Sequence, residues 1–253
     1  MDGTRPATSR FRAELWIVLG LSLGQSAVYA LLSLIIQISG KGVRNSTATL
    51  NGSRSDREWL DFTLQVLGIG FALVPVALAL YLLSLDPDKP SPLRRLGITG
   101  TSRSRDVLWG MGLAAVIGLP GLGLYAAGRE LGITAEVIPA PVDQYWWTIP
   151  VLILAALQNA ILEEVVVVGF VMTRLRQLGW NIWATIVTSA LIRGSYHLYQ
   201  GFGQALGNVA MGLVFGYWFT RTQRVLPLIV AHTILDVIVF VGYAVLKEHV
   251  SWL

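Results

Sequence analysis

Two adjacent carboxylates, Glu163 and Glu164, lie inside NAILEEVVVVGF (159–170), with IPVLILAALQ before them and VMTRL after. At the depth of a membrane an ionised acid costs about 2.5–3.5 kcal/mol, so a pair of them there points to function. The other ionisable residues of the later apolar segments are few: Arg193, His197, His232 and Asp236. Gln204 and Asn208 are uncharged and spaced i, i+4; interhelical hydrogen bonding is the simplest expectation for them. His249, in the polar tail, is expected to be solvated. Carboxylates and imidazoles together offer general acid–base chemistry, and neighbouring acids in low dielectric resist ionising together. A cation beside them, for which Arg193 is a candidate partner of Glu164, decides which acid keeps the charge.

The spacing lets these groups meet. A turn is expected near residue 180 (QLGWNI), with Glu163 seventeen residues before it and His197 seventeen after. At about 1.5 Å per residue both lie roughly 25 Å from the turn, hence level. His232 and Asp236, ten and fourteen residues beyond the loop near 222, share one helical face at about 15–21 Å from the same side.

The elements that must hold them are membrane helices. The 253 residues are 54% hydrophobic and only 13% charged, about half the charge of an ordinary soluble domain. Seven apolar blocks read as spans: about 14–38, 61–84, 107–127, 146–172, 182–198, 204–220 and 225–246. None alternates as barrel strands do, so the expected class is an all-α, polytopic transmembrane bundle. The first block follows Arg5, Arg10 and Arg12 like a signal peptide, but LLSLIIQI prolongs it and favours a retained span.

With the N-terminus inside, Arg5, Arg10, Arg12, Lys89, Arg94, Arg95, Arg103, Arg105, Arg174, Arg176, Arg221 and Arg224 are cytoplasmic, twelve in all. Lys41, Arg44, Arg54, Arg57, Arg129 and Lys247, six, are outside. This bias predicts a cytoplasmic N-terminus. The +4 net charge then anchors the chain at the lipid surface, and no basic-aromatic patch argues for nucleic acid. The absence of cysteine excludes disulfides and thiol catalysis. A single integral membrane domain over 1–253 is expected. Residues 39–60 read as a polar, irregular outer loop, and Gly203, Gly207, Gly212 and Gly216 as a close-packing helix face.

EEVVVVGF, RGSYH and HTILD, in that order, resemble the three motifs of the CPBP family: Glu-Glu-x-x-x-Arg, Phe-x-x-x-His and His-x-x-x-Asn or Asp. That family comprises CAAX prenyl endopeptidases and bacterial Abi-type proteins. The resemblance covers about 145–246. It implies that Glu163 is the catalytic glutamate with Glu164 beside it, and that His197, His232 and Asp236 complete the site. Val168 stands where the motif has arginine and Arg193 where it has phenylalanine. The two positions are level on adjacent helices, which suggests that Arg193 supplies the missing cation from the neighbouring helix.

The expected function is therefore an intramembrane endopeptidase acting on a membrane-bound or lipid-anchored protein or peptide, in a bacterial plasma membrane. Glu163 and His197 would activate water. His232 and Asp236 would stabilise the oxyanion, with Asp236 either protonated or orienting His232. The resemblance implies a metal-independent reaction, but Glu163, His197, His232 and Asp236 are also acceptable zinc ligands. A non-enzymatic immunity or scaffold protein and a proton-coupled transporter are the rival classes.

Overall fold

The computed structural model describes residues 5–87, 89–99, 103–139 and 145–242. Among these described residues eleven α-helices follow in order. They are α1 (Arg5–Gly20), α2 (Leu23–Ser39), α3 (Glu58–Ala72), α4 (Val74–Ser84), the short α5 (Pro92–Arg95), α6 (Arg103–Glu130), α7 (Thr148–Glu163), α8 (Met172–Gln177), α9 (Ile182–Ser195), α10 (Phe202–Thr222) and α11 (Leu226–Val237). Between α7 and α8 the chain stays helical but is wound as a π-helix over Glu164–Val171. Two short strands, β1 (Thr47–Leu50) and β2 (Glu136–Pro139), pair in parallel.

Among the described residues, three helices are long and apolar enough to cross a membrane: Glu58–Ser84, Arg103–Glu130 and Thr148–Gln177. Seven were expected, and the local chemistry explains much of the difference. The first block is broken into α1 and α2, bent by 51°, where Ser22 turns its hydroxyl back onto the Val18 carbonyl at 2.5 Å, a habit that bends helices. If the bent pair crosses as one, the count is four. The predicted span 182–198 contains only the fourteen residues of α9, started by Asn181, whose side chain accepts the Ala184 N–H at 2.8 Å. The last block is an apolar helix of only seventeen residues, Leu226–Gly242; its expected end at 246 and His249 lie outside the described residues.

Thr148–Gln177 is the central rod. Two thirds of its apolar window (67%) is buried, against 17% and 11% for the other two. Val165, Val166, Val168 and Phe170 form the middle of the main core with Leu83, Leu96, Ile186, Phe215 and Leu228. Outward-facing Trp16, Phe71, Leu108, Val116 and Leu119 are exposed, an apolar belt that suits lipid and not water. The glycine face of α10 is used internally on two sides. A Cβ at Gly212 would come within 2.7 Å of the Ala190 Cα on α9, and one at Gly207 within 3.0 Å of Leu124 on α6.

The bundle has two differently built ends. At one, Arg174 of α8, wholly buried, bonds Glu14 of α1 at 2.6 Å, Asp86 at 2.7 and 2.8 Å and the Leu82 carbonyl at 2.7 Å. Arg95 joins Asp86 at 2.6 Å. At the other, residues 39–60 are not the irregular loop expected. They carry a 3-10 turn (Val43–Asn45) and β1. The strand is held because Ala48 buries its side chain with Leu34, Val43 and Ala135, and because Glu136 N–H reaches the Ser46 carbonyl at 3.0 Å.

Candidate active site

Glu163 is the last residue of α7 and Glu164 the first of the π-wound stretch. Such local rewinding is frequent at functional sites. Consecutive helical side chains diverge by about 100°, and a single group bridges this pair. Arg193, near the C-terminus of α9, places Nη1 at 3.1 Å from Oε2 of Glu163 and Nη2 at 2.6 Å from Oε1 of Glu164. Only a forked, planar cation fits two such directions. Arg193 is fully buried and its guanidinium lies over the Phe215 ring, 5.5 Å from the centroid.

The pairing of Glu164 with Arg193 is as expected, but Arg193 holds both acids. Val168, the position matched to the motif arginine, is packed in the apolar core. Its neighbour Val167 accepts a hydrogen bond at 3.1 Å from Ser189 of α9, which tethers the π-wound segment to the helix carrying Arg193.

His232 of α11 gives Nδ1 to Oε1 of Glu164 at 2.7 Å, while its Nε2 lies 3.6 Å from Asp236. The group that fixes this ring is Glu164. Asp236, one turn on, is beyond hydrogen-bond distance from it. His197 lies past the end of α9, on a turn between Tyr196 and the 3-10 residues Leu198–Gln200. Its Nδ1 lies 3.0 Å from the Arg193 carbonyl. A carbonyl only accepts, so Nδ1 carries the proton and Nε2 keeps the lone pair in the neutral ring.

Glu163, His197, His232 and Asp236 all line one cavity of about 550 Å³. It is bounded by α3, α7, α10 and α11 and roofed by Thr49–Gly52 and Val137 from the two strand segments. Four groups from three segments meet at one cavity. Glu164 and Arg193 stand behind them, wholly buried. Gln204 and Asn208 line the same cavity; the Asn208 amide donates to the carbonyl of Gln204 on its own helix at 3.0 Å, so the expected bond between helices is not made.

Tyr196 escaped the sequence reading. Its hydroxyl donates to Oε2 of Glu163 at 2.7 Å and is buried. The only available signal was an aromatic hydroxyl directly before His197 in RGSYH. Asn159, one helical turn before Glu163 on the same face, also lines the cavity.

Among the described residues, one group of three acids and imidazoles brings its ligand atoms within 4.8 Å of one another: Glu163, Glu164 and His232. The zinc set Glu163, His197, His232 and Asp236 is not gathered in that way. Within the group of three, His232 spends Nδ1 on Glu164, and Arg193 already stands against both carboxylates. The donor set therefore fits a guanidinium better than a zinc ion.

Residues 145–238 match the family model described as Rce1-like, type II CAAX prenyl endopeptidase. The resemblance read from the three motifs holds over the segment that carries every residue of the site. No curated protein and no solved structure matches the chain.

Proposed function

We propose that this membrane protein is a metal-independent intramembrane endopeptidase that hydrolyses a peptide bond of a membrane-bound or lipid-anchored substrate. The observation that carries this reading is Glu163. One of its oxygens is held by Tyr196 at 2.7 Å and Arg193 at 3.1 Å, while the residue faces a cavity that His197 also lines. A carboxylate fixed at one oxygen and open at the other is built to take a proton from water.

The reaction then runs through protein groups alone. Glu163, with the lone pair of His197 Nε2, removes a proton from water, and the water oxygen bonds the peptide carbonyl carbon. The carbonyl π electrons move to oxygen, where His232 Nε2 stabilises the charge. Because Nδ1 is committed to Glu164, Nε2 donates only from the imidazolium. An imidazolium there also balances charge: Glu163, Glu164 and Asp236 carry up to three negative charges against the single charge of Arg193. The C–N bond breaks, and the proton on Glu163 passes to the leaving amine. Arg193 takes the place that the family motif gives to an arginine on the preceding helix.

The same reading places the N-terminus in the cytoplasm of a bacterial plasma membrane, with the strand-roofed end of the cavity on the outer side. A zinc-dependent variant of the protease has less support, because Arg193 already supplies positive charge to one oxygen of each carboxylate and His232 spends Nδ1 on Glu164. The test is cleavage of a panel of membrane-tethered peptides by purified protein, comparing wild type with Glu163→Gln. Cleavage by the wild type and none by the variant is expected. Equal cleavage by both would remove Glu163 from the mechanism, and cleavage by neither would favour a non-enzymatic scaffold.

A further inference from the structure

A peptide bond inside a membrane helix cannot be attacked where it stands, because its carbonyl and N–H are tied into the helix. The substrate must enter the site extended, and each backbone group thereby released costs several kcal/mol in lipid unless something pairs it. The cavity is rimmed by backbone able to do so. In the β1–β2 pair, Thr47 lies opposite Glu136 and Thr49 opposite Ile138. Glu136 donates its N–H to the Ser46 carbonyl at 3.0 Å, so in this parallel ladder Glu136 and Ile138 direct their groups into the pair. Thr47 and Thr49 direct theirs away from it. Both threonines are exposed, and among the described residues nothing bonds the N–H or the carbonyl of either. Thr49 and Leu50, whose side chains leave opposite faces of the strand, both line the cavity with Glu163. The cavity thus meets β1 along its edge. Leu50 packs on Leu152 and Ala156 of α7 and on Phe240. Those two α7 residues precede Glu163 by eleven and seven positions, about 10–17 Å along the helix. An extended chain covers that distance in about three to five residues.

We infer that the outer edge of β1 is the substrate-docking site. An extended segment of the substrate pairs with Thr47 and Thr49 as a third strand, about three to five residues from the bond that Glu163 hydrolyses. This rests on the protease reading above and adds where its substrate binds. The contact is made through main-chain groups, so it holds the substrate without reading its side chains. Ala48, buried with Leu34, Val43 and Ala135, fixes β1 before the substrate arrives. A strand already in place leaves only the substrate to be ordered on binding. Along an added strand, only alternate residues turn their N–H and carbonyl toward β1. That alternation is the signature of the site.

The experiment uses the full-length protein and a series of membrane-tethered peptides of one sequence. In each peptide one backbone N–H, at successive positions on either side of the cleaved bond, is replaced by an ester oxygen. Pairing with β1 predicts that KM rises about fivefold at alternate positions. These positions lie on one side of the bond, about three to five residues from it. The kcat should stay within about threefold there, as it does when binding common to ground and transition states is lost. Thr49→Pro removes an N–H that the β1–β2 ladder does not use and sets a ring on the docking edge. It should raise KM for the all-amide peptide at least about 10-fold, hold kcat within about threefold, and abolish the alternation. Thr49→Val keeps the N–H and should match the wild type. The ester series needs only the wild type, so it decides the question even if Thr49→Pro does not fold. An ester series without alternation, on protein that cleaves the all-amide peptide, overturns the docking edge and leaves the protease reading standing. Alternation that persists unchanged in folded Thr49→Pro puts the partner elsewhere and overturns it as well. If no peptide is cleaved, both readings fall.

Discussion

His232 is held from the opposite helix: its Nδ1 is 2.7 Å from Glu164, and its Nε2 is 3.6 Å from Asp236 on its own helix. Glu164 also takes Arg193 at 2.6 Å. It therefore links the cation to the imidazole without facing the cavity itself. Replacing it with glutamine puts an NH2 group or a neutral oxygen against two donors. We expect Glu164→Gln to cost about 3–5 kcal/mol of stability, as breaking a buried pair does, and to lower kcat at least 100-fold. Asp236 lies beyond hydrogen-bond distance of His232, so Asp236→Asn should leave kcat within about fivefold. Cleavage rates and thermal unfolding in detergent check both, and equal effects of the two variants would refute this division of roles.

Tyr196 offers a narrower test. Its hydroxyl holds the same Glu163 oxygen that Arg193 holds, so Tyr196→Phe removes one bond to a charged acceptor and leaves the ring. A bond of this kind contributes about 1.5–3 kcal/mol, equivalent to roughly a 10- to 100-fold fall in kcat. KM should change little, because the hydroxyl faces the enzyme carboxylate and not the substrate. A changed KM with unchanged kcat would show that Tyr196 acts on substrate instead.

Stability at low pH should be governed at the other end of the bundle. Burial alone would raise the Asp86 carboxyl, but hydrogen bonds from Arg95, Gln177 and Arg174 and the charge of Arg174 outweigh it, and the group sits below its ordinary value. A depressed folded value means that the stabilisation is fully present above the unfolded value, near 4, and is lost as pH falls through the folded one. The unfolding midpoint should be insensitive to this group from pH 8 to about 5 and fall below about 4. Asp86→Asn leaves the buried Arg174 with Glu14 as its remaining acid and should cost about 3 kcal/mol at pH 7. The gap between wild type and variant should close in acid; a gap that persists at pH 3 would exclude ionisation of Asp86 as the cause.

The chemistry of the site was more legible in the sequence than its helices were. Charged residues are so costly in lipid that Glu163, Glu164, Arg193, His197, His232 and Asp236 stood out by type alone, and counting from the turn near 180 and the loop near 222 placed Glu163, His197, His232 and Asp236 near one depth. Hydropathy cannot report where a helix stops being regular. It did not show the break at Ser22, the end of α9 at Ser195, or the π-wound stretch after Glu163, each of which depends on a hydroxyl, a cap or packing. The strand β1 was hidden because polar GKGVRNSTATLNGSRSD pairs only with β2, some ninety residues away. Hydrogen-bond assignments were hidden too: i, i+4 spacing put Asp236 on the His232 face, but nothing in it revealed that Glu164 was nearer.

The exchange of cation between helices predicts a specific rescue. Arg193→Phe restores the aromatic residue of the family motif and strips two buried carboxylates of their cation, so activity should vanish. Adding Val168→Arg returns an arginine to the motif position on the same helical rod as Glu164. The double variant should recover a measurable fraction of the wild-type rate, limited by the cost of placing a long side chain in the apolar core that Val168 now fills. If the double variant folds, as its unfolding transition would show, and recovers nothing, Arg193 is not standing in for the motif arginine.

Metal removal separates the guanidinium from zinc as the source of positive charge. If Arg193 supplies it, prolonged treatment with a chelator should leave the rate unchanged, and Arg193→Ala should be inactive with or without added zinc. The alanine variant leaves a cavity between Glu163, Glu164 and Phe215 with the shape of the missing planar cation. Guanidinium ion at millimolar concentration, far below what unfolds proteins, should therefore restore part of the rate, while an equal concentration of ammonium, which lacks the fork, should restore less. Loss of wild-type activity on chelation, recovered by zinc, would transfer the role of Arg193 to a metal and overturn the metal-independent mechanism.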